Sequence, residues 1–184
     1  MRHILSRSGG IRQSAGVLVA LGVALSLSAS PASAATTTCV GKIESQTIDS
    51  NLVVPPSATC FLVNTTVNGN ISVTEGASIS FGIISEFPAV LNHVSGNVVA
   101  YQAASVSLAF STVGGNVVAT DSGQVTLDRV WTEGSGIFIG NESLSFHSAV
   151  FGNNLVCANN QTLQLFFYGA DRHTSGQCAV ESEG

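Results

Sequence analysis

The chain has 184 residues, a formal net charge of −5 and only 9% charged side chains, against 45% hydrophobic ones. Six Lys and Arg residues are too few for the clustered cations that nucleic acid or anionic lipid requires. A surface this poor in charge must be built largely from Ser, Thr, Asn, Gln and Gly.

In chain order the first element is a secretory signal. Arg2, Arg7 and Arg12 give a positive start, Ala15 to Leu27 is apolar, and Ala32-Ser33-Ala34 is an A-x-A cleavage site. The apolar run, 27 − 14 = 13 residues, is short for a membrane span, which takes about 20. The expectation is a cleaved signal peptide over 1–34 and one secreted, extracellular domain over 35–184, with no membrane insertion after cleavage. An uncleaved N-terminal anchor is the competing reading. Cleavage leaves 184 − 34 = 150 residues with three basic and eleven acidic side chains, a net charge of 3 − 11 = −8.

The remaining chain repeats. Units begin at Asn51, Asn70, Asn97, Asn116, Gly136 and Asn154, in steps of 19, 27, 19, 20 and 18 residues by subtraction. Each start is followed by a short, mostly apolar strand: Leu52-Val53-Val54, Ile71-Ser72-Val73, Val98-Val99-Ala100, Val117-Val118-Ala119, Ile137-Phe138-Ile139 and Leu155-Val156-Cys157. A second strand follows in every unit, as in Cys60-Phe61-Leu62, Ile79-Ser80-Phe81, Val106-Ser107-Leu108, Val125-Thr126-Leu127, Leu144-Ser145-Phe146 and Leu163-Gln164-Leu165. A period of about 20 residues made of short strands and Gly/Asn corners predicts an all-β, single-stranded parallel β-helix of about six to seven rungs. The long second step contains an insertion around Ile83 to Leu91, read as a lateral loop.

Alternation assigns the sides. In the second strand the flanking residues face inward and Ser80, Ser107, Thr126, Ser145 and Gln164 face water. Val67, Val94, Val113 and Phe151 add a third inward contact before the corner. Asn at the corners tolerates left-handed backbone and can bond the Asn above it, so the Asn row is read as structural. Asn64, Asn70, Asn141 and Asn160 also fall in N-x-S/T sequons, taken as chance matches.

Four cysteines in an exported chain favour disulfides. Three pairings are possible in principle, and the register selects one. Cys39 lies 21 residues before Cys60, about one rung below; Cys178 lies 21 residues after Cys157, about one rung above. Stacked strands sit ~4.8 Å apart, within disulfide reach. The prediction is Cys39–Cys60 and Cys157–Cys178, one staple at each end. Thr36 to Ser45 and Gly169 to Gly184 are expected to cap the stack. Scattered histidines and the lack of C-x-x-C speak against zinc, and no cofactor or metal is expected.

Cys39-Val40-Gly41, then Val54-Pro55-Pro56-Ser57-Ala58-Thr59-Cys60, then V-x-G-N-V units, then Asn154-Leu155-Val156-Cys157 and Gly176-Gln177-Cys178, together resemble a group of small secreted proteins common in actinobacteria. The resemblance covers nearly the whole exported chain. It implies a right-handed parallel β-helix similar in fold to pectate lyases but shorter, and it implies no activity.

Catalytic candidates are few. Asp128-Arg129-Val130-Trp131-Thr132-Glu133 is the densest cluster, and the register places Asp128 and His147 in equivalent outward positions on adjacent rungs. Asp128 and His147 read either as an acid/base pair or as a surface hydrogen bond. Arg129 and Trp131 are the sugar-face candidates beside them. His93 and His173 have no visible partner. The stronger anomaly is the middle of the first strand, where outward positions hold Val53, Ser72, Val99, Val118, Phe138 and Val156. An exposed apolar stripe of this kind marks an interaction surface unless the chain covers it. The expectation is therefore a structural or interaction protein, self-associating or adhering to a cell-envelope component, with no catalysis. The alternative is a carbohydrate-binding or polysaccharide-degrading β-helix, with a polysaccharide as the partner.

Overall fold

A rung with an apolar side chain at every second residue cannot cover its own inner face, so it is stable only between neighbours. In the computed structural model, which describes residues 35–82 and 91–179, the rungs stack in parallel and cover one another. The expected signal over 1–34, most of the insertion around Ile83 to Leu91, and Glu181 and Glu183 of the closing segment lie outside the described residues.

The result is a parallel β-solenoid of about seven turns. Its first face is an eight-stranded sheet: Thr36–Thr38, Asn51–Val54, Ile71–Val73, Val98–Tyr101, Val117–Thr120, Gly136–Ile139, Asn154–Ala158 and His173–Gly176. The second face stacks Gly41–Glu44, Thr59–Val63 and Ser78–Gly82, followed by four nine-residue strands, Ser105–Val113, Gln124–Thr132, Ser143–Phe151 and Thr162–Ala170. Those long strands bend into a third face, where Thr47–Ile48, Thr66–Val67 and Asn92–Val94 precede them. The bend is a column of left-handed residues, Phe110, Arg129, Ser148 and Phe167, each with φ between 45° and 63°. The ladder skips that column: Ala109 pairs with Asp128, and pairing resumes at Ser111 with Val130.

One unit starts a residue earlier than the sequence suggests. Val117 pairs with Gly136 and Gly136 with Leu155, so the fifth unit begins at Ser135, and the last two steps are both 19 (135 − 116 and 154 − 135). Gly136 therefore takes an inward position, and Phe138 takes the next inward one, fully buried. The cause is packing. A Cβ on Gly136 would lie 2.5 Å from Phe151 Cε1 and 2.8 Å from Phe138 Cε2, so glycine yields its volume to two phenylalanines. Phe138, Phe146 and Phe151 meet edge to face or tilted, with centroids 5.0–6.0 Å apart. Phe138 is thus not part of the outward stripe; Ile137 holds that place.

The second-strand register stands throughout, from Cys60 on Ile79 to Leu144 on Leu163. Its inward residues are buried except Leu163 and Leu165 on the last turn, which are half-buried. The third inward column includes Thr132, between Val113 and Phe151. The disulfides are Cys39–Cys60 and Cys157–Cys178, with Cα separations of 5.5 and 5.3 Å. The expected end caps are instead further strands. Thr36–Thr38 and Gly41–Glu44 join the first turn, and His173–Gly176 joins the last, because their backbone can continue the ladder.

Candidate interaction surfaces

The first face carries the stripe. Its middle column, in register from turn to turn, is Thr38, Val53, Ser72, Val99, Val118, Ile137, Val156 and Ser175. No described segment lies over it: Val99 is 41% exposed, and in the neighbouring outward column Tyr101 and Ile139 are 54% and 36% exposed. Neither column contains a charged residue. Seven strand spacings give a length of ~34 Å.

Asparagines border this face. Asn70, Asn97 and Asn116 each donate from Nδ2 to the Oδ1 of the Asn one turn below, at 2.9–3.1 Å, and the same Oδ1 accepts the backbone N–H. Ser135 closes the run through its N–H to Asn116 Oδ1. Ladder bonding occupies these amides, as the structural reading of the row expects.

A second ladder, buried at the opposite edge of the first face, was not legible as one. Asn141 donates to Ala119 O and Asn160 Oδ1 and accepts the Ser122 N–H. Asn160 donates to Phe138 O and to Gln177 Oε1. Both residues are buried with their Nδ2 atoms bonded, so these sequons are inaccessible in the fold. The 19-residue spacing of Ser122, Asn141 and Asn160 was the available signal.

The corner between the second and third faces gathers the polar candidates. Asp128 and His147 are register partners, as expected, but no hydrogen bond or ion pair joins them; Asp128 Oδ1 is buried without a partner. His147 lies against Phe166, with ring centroids 6.3 Å apart. Arg129 stacks its guanidinium 4.5 Å above the Phe110 ring. Trp131 projects from the third face, 52% exposed, and Phe166 and Phe167 are exposed on the last turn. The structure thus adds Phe110, Phe166 and Phe167 to the cluster, since the left-handed bend turns neighbouring columns outward at one edge. His93 is not isolated: its Nδ1 is 2.7 Å from Thr112 Oγ1. His173 lies away from this corner, continuing the first-face border column beyond Asn154. At the far end, Tyr168 donates its hydroxyl to Cys178 O, and burial raises its pKa above the ordinary tyrosine value.

These features define a small parallel β-solenoid, stapled near both ends, with one sheet face whose described strands carry no Asp, Glu, Lys or Arg, and one aromatic corner. No family model, curated protein or solved structure matches the chain.

Proposed function

We propose that this is a secreted, non-enzymatic β-solenoid that works through its first face, and that the face pairs with the same face of a second copy. The observation that carries the reading is the outward apolar column Val53, Val99, Val118, Ile137 and Val156, in which Val99 is exposed and the others half-buried, beside the exposed Tyr101 and Ile139, with no charged residue in either column. Two such faces can meet about a two-fold axis with no like charges opposed. A strip ~34 Å by ~15 Å offers roughly 500 Å² per copy, or about 1,000 Å² in all, at the lower end of specific interfaces. Two disulfides fit an oxidising, extracytoplasmic compartment. Membership of the small actinobacterial group, with its right-handed coil, belongs to the same proposal and rests on the cysteine-bearing ends.

Light scattering across a concentration series tests the pairing. The expected result is a two-copy species that Val118→Asp returns to one copy without loss of folded signal. A two-copy species indifferent to Val118→Asp would overturn it. So would a wild type that never associates, which would leave the face to a cell-envelope partner.

A second reading has its own observation: Asp128, His147 and Phe166 share one column, Arg129 stacks on Phe110 at the adjoining bend, and Trp131 is exposed across that bend. Exposed aromatic rings beside hydrogen-bonding groups suit neutral sugars. Depletion by insoluble polysaccharides should then fall at least about tenfold in Trp131→Ala, the ~1.4 kcal/mol of one stacking contact. Equal depletion, or none by either protein, removes this reading.

A further inference from the structure

We infer that Asn68 is a site of spontaneous backbone rearrangement, in which its side chain closes onto the N–H of Gly69 and hydrolysis leaves aspartate or isoaspartate and loosens the corner. The inference is independent of the first-face pairing. The step needs an asparagine followed by an unhindered backbone nitrogen that no hydrogen bond holds. Glycine supplies the freedom, because a Cβ restricts the backbone and shields the nitrogen. Asn68-Gly69 is the single Asn-Gly pair of the chain, and Asn68 is exposed.

After asparagines elsewhere in the stack the N–H is held. Leu52, Ile71, Val98 and Val117, each following a corner asparagine, donate to the turn above. Glu142 and Gln161, following the buried pair, donate to the turn below. In the column of Gly69 itself, Gly96, Gly115 and Gly134 also donate to the turn below, whereas the Gly69 N–H donates to no described residue. Packing keeps glycine at this place: a Cβ on Gly69 would lie 2.5 Å from Ser50 O. The reactive pair is therefore built into the corner.

In the step, Gly69 N bonds to Asn68 Cγ, and Nδ2 leaves as ammonia with the Gly69 proton. Water then opens the cyclic imide, and nothing is oxidised or reduced. Opening at Cγ gives aspartate; opening at the original peptide carbonyl gives isoaspartate, whose main chain runs through Cβ and Cγ. Both products disturb the corner. Asn68 Nδ2 donates to Asp49 Oδ1, and a new carboxylate would face that one with like charge. The isoaspartyl link also adds a methylene to the main chain between the Asn68 N–H, held by Ile48 O, and Gly69 O, which accepts from the Gly96 N–H. Asn70 follows directly and is bonded to Asn51 below and Asn97 above, so the added length reaches the outer ladder.

Ageing the oxidised, folded protein in neutral buffer tests the inference, read by peptide mapping and enzymatic detection of isoaspartate. Asn68 should convert at least about tenfold faster than any other asparagine, a difference of roughly 1.4 kcal/mol in activation free energy. Asn68→Ser, which repeats the residue that Ser95 places in the same column, should abolish this conversion and keep the fold. In the isoaspartyl form, the N–H groups of Asn70 and Asn97, held by Asn51 Oδ1 and Asn70 Oδ1, should exchange with solvent at least about tenfold faster than in fresh protein. Conversion of the denatured protein alone, or equal conversion at Asn97, overturns the site. Unchanged exchange after conversion overturns the loosening of the corner.

Discussion

Val125→Asp should prevent recovery of folded protein. Val125 is fully buried in the middle of the stack, paired with Val106 below and Leu144 above. The change removes about 2 kcal/mol of apolar burial and places a carboxylate where no described cation or donor can reach it. An unpaired buried charge costs several kcal/mol more, against a total stability of about 5–15 kcal/mol for a domain. Because each turn is held only by its neighbours, the loss removes support from both halves of the solenoid. The same substitution at Val118, whose half-buried side chain points outward, should cost far less than at Val125 when both are compared at a concentration low enough to hold the protein as one copy. The comparison uses yield of oxidised protein and chemical denaturation. Equal loss at both positions would mean the inside and outside have been assigned wrongly.

The second large effect is expected at Asn141. Asn141→Leu keeps the volume but leaves the Ser122 N–H without its acceptor and takes a donor from Ala119 O and Asn160 Oδ1. All of this lies in the interior, so the expected loss is roughly 2–4 kcal/mol. Asn97→Leu breaks the same kind of ladder at the corner. Water can reach that ladder, and the expected loss is under about 1 kcal/mol. Denaturant midpoints of the two variants decide the point. Similar losses would show that ladder bonding itself, and not burial of its members, sets the stability.

The two asparagine rows also show what kind of information a sequence holds. The outer row follows glycine at Gly69-Asn70, Gly96-Asn97 and Gly115-Asn116, so a local motif reveals it. The inner row has no such motif, and Asn141 and Asn160 are visible first as sequons. Their role depends on the Ala119 and Phe138 carbonyls, 22 residues away, reached only by coiling. Arg129 and Phe110 are a similar case: 19 residues apart, they touch because both occupy the left-handed bend.

The sequence by itself determined the solenoid, the period, the second-strand register and the disulfide pairing. Each follows from alternation and spacing, which are properties of consecutive residues. The tertiary structure decided the Ser135 start and the inward place of Phe138, because only the volumes of Phe138 and Phe151 explain why glycine must stand at 136. It also decided that the terminal segments are strands rather than caps, and which side chains share a face. Those outcomes depend on what lies one turn above and below, and contacts across turns have no signature in the residues next door.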